Sequence, residues 1–93
     1  MKAVWRDQII AESEDTLLLE GNHYFPPELV DKNFITFSNH KSNCPWKGIA
    51  NYYSLIVKGE MLTDAAWFYA EPKEGATHIK NYVAFWKEVK VTQ

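Results

Sequence analysis

The chain has 93 residues, 46% of them apolar and 15% aromatic, with ten Lys plus Arg set against twelve Asp plus Glu for a formal net charge of -2. That size predicts one domain, residues 1–93, with one core in which Trp, Tyr and Phe supply much of the burial. The charge leaves no basic footprint for nucleic acid. A single cysteine, Cys44, excludes an intrachain disulfide and a thiolate-rich zinc knuckle, and it predicts a reducing, cytoplasmic setting. Arg6 and Asp7 come too early for an export signal, and the longest apolar run, Ala65 to Ala70, falls far short of the ~20 residues of a membrane span.

In chain order, Lys2 to Trp5 and Ile9 to Ala11 flank the polar Arg6-Asp7-Gln8, and Thr16 to Glu20 follows Ser13-Glu14-Asp15, which together predict a three-stranded meander. Tyr24 to Pro27 must be extended, and Pro27 opens a helical turn through Val30. Phe34 to Ser38 resumes a strand. Asn51 to Val57, Lys58-Gly59-Glu60 and Met61 to Tyr69 predict a hairpin. The last segment fits two patterns, because Ile79, Tyr82, Val83 and Trp86 share a helical face while Tyr82 to Trp86 is rich in strand formers. A short helix near Ala76 to Asn81, followed by strand, is the expectation.

Two stretches carry chemistry: His40-x-x-x-Cys44-Pro45-Trp46-Lys47-Gly48-x-Ala50-x-Tyr52, and Asp64-Ala65-Ala66-Trp67-x-Tyr69. With the later Asn81-Tyr82-Val83-Ala84-Phe85-Trp86, they resemble the bacterial domain-of-unknown-function family 427 across nearly the whole chain. That family also carries a nucleotidyltransferase-like name. The resemblance implies a β-tent-like fold, and so a mainly β, small antiparallel two-sheet domain with one short helix. Other β-tent proteins hold zinc through paired Cys-x-x-Cys knuckles, which Cys44 alone cannot supply. Nucleotidyl transfer needs carboxylates for metal ions and a glycine-rich or basic phosphate element. Glu12-x-Glu14 reads as a solvated turn, and Gly21, Gly48, Gly59 and Gly75 stand singly.

Hairpin geometry brings the two motifs to one end of the sheet. Residues facing each other across a turn near Gly59 have numbers summing to roughly 117 to 119, which sets Gly48 to Ala50 across from Trp67 to Tyr69. Asp64 lies about five strand residues from Tyr69, roughly 16 Å away, so Glu71 is the expected ion-pair partner of Lys47. Asp is depleted in strands, which assigns Asp64 a structural hydrogen bond.

Three readings follow. A binding module would use Lys47 and His40 to orient a polar or anionic small molecule against Trp46, Gly48, Trp67, Tyr69 and Glu71. An enzyme would use the same pocket, with Cys44 as nucleophile, His40 as general base and Lys47 as oxyanion stabiliser. An interaction module would present a sheet edge or apolar patch to another protein. His40 and Cys44 make too few ligands for a metal, since His23 and His78 lie in separate segments. No metal or other cofactor is expected, and the pattern leaves the oligomeric state open.

Overall fold

A computed structural model describes residues 1–93. It contains nine strands in three antiparallel sheets. In the first, β2 (Gln8–Glu12), β1 (Lys2–Trp5) and β9 (Lys90–Thr92) lie in that spatial order. β3 (Leu17–Leu19) and β4 (Asn22–Tyr24) form a small hairpin of their own. The third sheet is ordered β5 (Ile35–Cys44), β6 (Gly48–Val57), β7 (Glu60–Phe68) and β8 (Ala84–Phe85). The expected mainly β architecture is present, with three sheets instead of two. The expected helix near 76–81 is a single 3-10 turn at Thr77–Ile79, and the other helical pieces, Pro27–Leu29 and Lys32–Phe34, are equally short.

Local backbone chemistry accounts for the hairpins. Arg6-Asp7, Glu20-Gly21 and Lys58-Gly59 each link paired strands as two-residue turns, and all six residues have positive φ, as type I′ turns require. The Glu20-Gly21 turn also explains why the meander does not form. It closes β3 onto β4, while Ser13 is held by Met1, donating from its backbone N–H to the Met1 carbonyl at 3.0 Å, so the chain leaves the first sheet after β2.

The central hairpin has the register read from the sequence. Tyr52 faces Trp67 and Ile56 faces Met61, so paired numbers sum to 119 near one end and 117 near the turn. A bulge between these zones accounts for the change. Asp64 sits in it at φ +54, accepting a hydrogen bond from Ser38 Oγ at 2.5 Å and donating its N–H to Ser54 Oγ at 3.0 Å. Its expected structural role is therefore met.

The large sheet buries both of its faces, dividing the expected single core into two clusters. One face meets the first sheet through Ala3, Ile10, Phe25, Leu55, Ala66 and Phe85. The other meets the β3–β4 hairpin through Tyr24, Ala50, Tyr52, Tyr69, Ile79 and Ala84. Strand alternation decides membership: adjacent Tyr24 and Phe25, both fully buried, serve opposite clusters, as do Tyr52 and Tyr53. Full burial of a side chain such as Phe25 stabilises the fold by about 1.5–3 kcal/mol.

Candidate functional site

The segment from His40 to Lys47, which lies beyond the expected strand Phe34 to Ser38, is mostly strand. β5 continues past a bulge at 39–40 to Cys44, which faces Gly48 across a turn made of Pro45, Trp46 and Lys47. Its polar sequence hides the strand because β5 is a sheet edge, where lysine and a bulge discourage pairing with other chains. Gly48 takes φ +113, and a Cβ there would stand 3.3 Å from the Glu71 carbonyl oxygen. The missing side chain lets segment 71–73 lie directly on the turn. Lys73 seals the contact, its N–H donating to the Lys47 carbonyl at 2.9 Å and its Nζ to the Pro45 carbonyl at 2.9 Å.

With its backbone pinned there, Lys47 turns inward and is only 7% exposed. Its ammonium lies 5.6 Å from the ring centre of Tyr69 and 5.5 Å from that of Trp46, within reach of the negative faces of both rings. Beside it opens a cleft of about 180 Å³ lined by Lys47, Tyr52, Trp67, Tyr69 and Trp86. The cleft's aromatic walls are held at fixed angles. Trp67 meets Tyr24 and Trp86 edge-on, with ring centres 6.2 and 5.9 Å away, and its Nε1–H donates to the Tyr24 hydroxyl at 3.2 Å. Tyr52 and Ser42 hydroxyls hydrogen-bond at 2.8 Å.

The ammonium's counter-ion is Glu20, from the β3–β4 turn. Lys47 Nζ donates to Oε1 of that carboxylate, and Trp46 Nε1 donates to Oε2 at 3.4 Å. The lysine hydrogen bond holds the Glu20 carboxyl below its ordinary pKa. Burial alone would pull the Lys47 pKa down, but the Glu20 bond and the Tyr24 and Tyr69 oxygens outweigh it, so the pKa is raised and the ammonium stays charged. Tyr69 is pushed up by burial, partly offset by Lys47, so it remains a neutral phenol.

Of the residues read from the sequence, Lys47, Trp46, Trp67 and Tyr69 gather at this cleft. Gly48 serves it through the backbone. His40 packs against Tyr52 with the rings tilted at 55° and their centres 4.6 Å apart, so it buttresses a wall. Cys44 is half-buried beside the second core cluster. Four strand steps separate it from His40, about 13 Å of extended chain, where a helix would have aligned the pair. Glu71 does not pair with Lys47, which corrects the expected ion pair. It is exposed in a separate, open groove of about 460 Å³ that also takes in Lys41, Asn43, Asn51 and Lys73.

Sequence reasoning missed Glu20, Tyr24 and Trp86. Glu20 had no distinctive signal, because Arg6 and Lys58 depart from the Asn, Asp or Gly preferred at the first position of a type I′ turn as much as Glu20 does. Trp86 had none, because its place depends on the bulge, where its Nε1–H donates to the Asp64 carbonyl at 2.5 Å. No group of three or more His, Cys, Asp or Glu is placed to hold a metal ion, and no helix is long and apolar enough to cross a membrane.

No curated protein matches the chain. A family model covers residues 1–93 in full, and the chain accordingly belongs to the family described as Domain of unknown function (DUF427).

Proposed function

We propose that this domain binds a polar or anionic small molecule in the cleft beside Lys47. The observation that carries the reading is a charged lysine held almost out of water at the foot of an aromatic slot. Pockets of this kind, mostly aromatic with one placed charge, use the rings for affinity and the charge for orientation. Trp67, Tyr69 and Trp86 line the slot, while Lys47 supplies the fixed point, stiffened by the Gly48 contact below it. His40 supports Tyr52 from the flank.

The cysteine-dependent alternative needs the imidazole within hydrogen-bond reach of the thiol, about 2.6–3.2 Å or one water away. The strand spacing between His40 and Cys44 works against it. A binding site is thus the reading that uses the most of this geometry.

A thermal-shift panel of carboxylates, phosphates and neutral aromatic amides tests it. Ligands that raise the melting temperature of the wild type should leave Lys47→Met unmoved while that variant still unfolds cooperatively. Equal shifts in both proteins would remove Lys47 from the site, and an unresponsive wild type would remove the site itself.

A further inference from the structure

We propose that Glu20 is an internal occupant of a carboxylate seat, and that the ligand is a small aromatic carboxylate which takes the seat when Glu20 leaves it. The inference rests on reading the Lys47 cleft as a binding site and names the chemical class it accepts.

The seat is already drawn by the residue filling it. One oxygen of the Glu20 carboxylate receives Lys47 Nζ and the other receives Trp46 Nε1. The two donors come from adjacent residues of one short turn and diverge to separate oxygens, an arrangement that recognises a planar two-oxygen anion. Charge then limits what can join it. Lys47 is the one ammonium lining the cleft, and Glu20 already neutralises it. A second carboxylate beside the first would leave a surplus negative charge among Tyr52, Trp67 and Tyr69, where burial penalises charge. An anion can therefore bind only by exchange.

Glu20 is placed to exchange. Its side chain is 48% exposed, so solvent reaches it, whereas Lys47 is only 7% exposed. Its backbone is left-handed at φ +54, a conformation unfavourable for glutamate. The β3–β4 hairpin that carries it has only three residues per strand, below what a two-stranded unit needs to be stable alone. Rotation of the exposed side chain away from Lys47 needs no change in the turn or in the larger sheet. The space beyond the ammonium sets the ligand's size. Lys47 belongs to both the seat and the cleft, while Trp46 and Glu20 lie outside the cleft lining. A volume of about 150 Å³ admits benzene, so the 180 Å³ cleft has room for one ring whose carboxylate reaches Lys47 from it.

Benzoate is the probe, with benzamide as its uncharged counterpart, bound to the full chain and followed through the indole N–H signals of Trp46 and Trp67. Apparent affinity is reduced by the fraction of molecules whose seat is vacant. If Glu20 fills it in about nine molecules of ten, Glu20→Gln should tighten benzoate about tenfold and leave benzamide unchanged. Glu20→Gly, which suits the left-handed turn, should fold and show the same gain. Tightening of both probes would overturn the proposal, because Glu20 would then block the cleft by bulk. Benzoate bound equally by wild type and both variants would overturn it while leaving the cleft reading intact. Failure of all three proteins to bind either probe would overturn both.

Discussion

Gly48→Ala tests the contact on which the site is built. At φ +113 an alanine is strained, at a cost of roughly 1–3 kcal/mol. The new methyl would also stand 3.3 Å from the Glu71 carbonyl oxygen and 3.6 Å from the Lys73 nitrogen. Neither is a flexible side chain, and the hydrogen bond from Lys73 N–H to the Lys47 carbonyl resists their retreat. Together these effects should cost about 3 kcal/mol, a large share of the ~5–14 kcal/mol total for a chain of this length. A domain of this size loses about 4–8 °C per kcal/mol, so the melting temperature should fall by about 12–24 °C. Gly75→Ala separates the two contributions, because Gly75 has a comparable φ of +94 but no atom within 4 Å of where its Cβ would stand. Urea denaturation of both variants at unchanged m-value gives the comparison. Equal losses, or a Gly48→Ala cost under about 0.5 kcal/mol, would refute the claim that segment 71–73 clamps the Lys47 turn.

The pH dependence of the Glu20–Lys47 pair has a definite sign. Glu20 is depressed, so its contribution is present above the ordinary carboxylate pKa of about 4.3 and is lost as pH falls through its lowered value. Lys47 is raised, so its contribution is present below about 10.4 and is lost as pH rises through its higher value. The stability difference between wild type and Glu20→Gln should therefore be flat from about pH 5 to pH 10 and shrink on the acid side, and growth toward low pH would contradict the pairing. Lys47→Met should fold, because the thioether fills the slot of the lysine stem. In that variant Tyr69 loses the charge that pulls its pKa down, so ultraviolet titration should show it ionising at higher pH than in the wild type. Cys44→Ala should keep both fold and benzoate affinity, and a loss of tenfold or more by titration would return the thiol to the site.

What could be read from the sequence was local or paired by a turn. The turn read at Lys58-Gly59-Glu60 closes on Lys58-Gly59 with Glu60 already paired to Val57, and the register expected around it places the two motifs at one end of the sheet, as found. The misfit of Asp64 in a strand pointed to a structural hydrogen bond, which the structure supplies within a bulge that the sequence reading did not include. The polar half of β5 escaped notice because an edge strand at the surface needs no apolar alternation. The helical spacing of Ile79, Tyr82, Val83 and Trp86 misled for a different reason. Ile79 is buried in a 3-10 turn, Val83 exchanges backbone hydrogen bonds with Phe25 at 2.8 and 2.9 Å, and Trp86 caps the bulge. Three unrelated tertiary contacts happen to fall at intervals of three and four.

The same distinction between local and layered information explains the ion pair. Glu71 is near Lys47 along the path of the hairpin, and its backbone does touch the turn, yet its side chain belongs to a groove with Lys41 and Asn51. Lys47 instead enters the aromatic layer between the large sheet and the β3–β4 hairpin, so its counter-ion comes from that hairpin, 27 residues earlier. Layering therefore puts the fixed and removable halves of the charge pair on elements of unequal stability. Lys47 stands on a four-stranded sheet clamped from below. Glu20 stands on the tip of the smallest sheet, with Leu18 beside it 64% exposed. The hairpin is anchored at its base by buried Tyr24, so the proposed exchange needs only its tip to open, where few buried contacts hold the chain. In the proposed exchange, an ammonium stripped of its carboxylate would be costly in an aromatic slot, and an anion small enough to enter would relieve that cost.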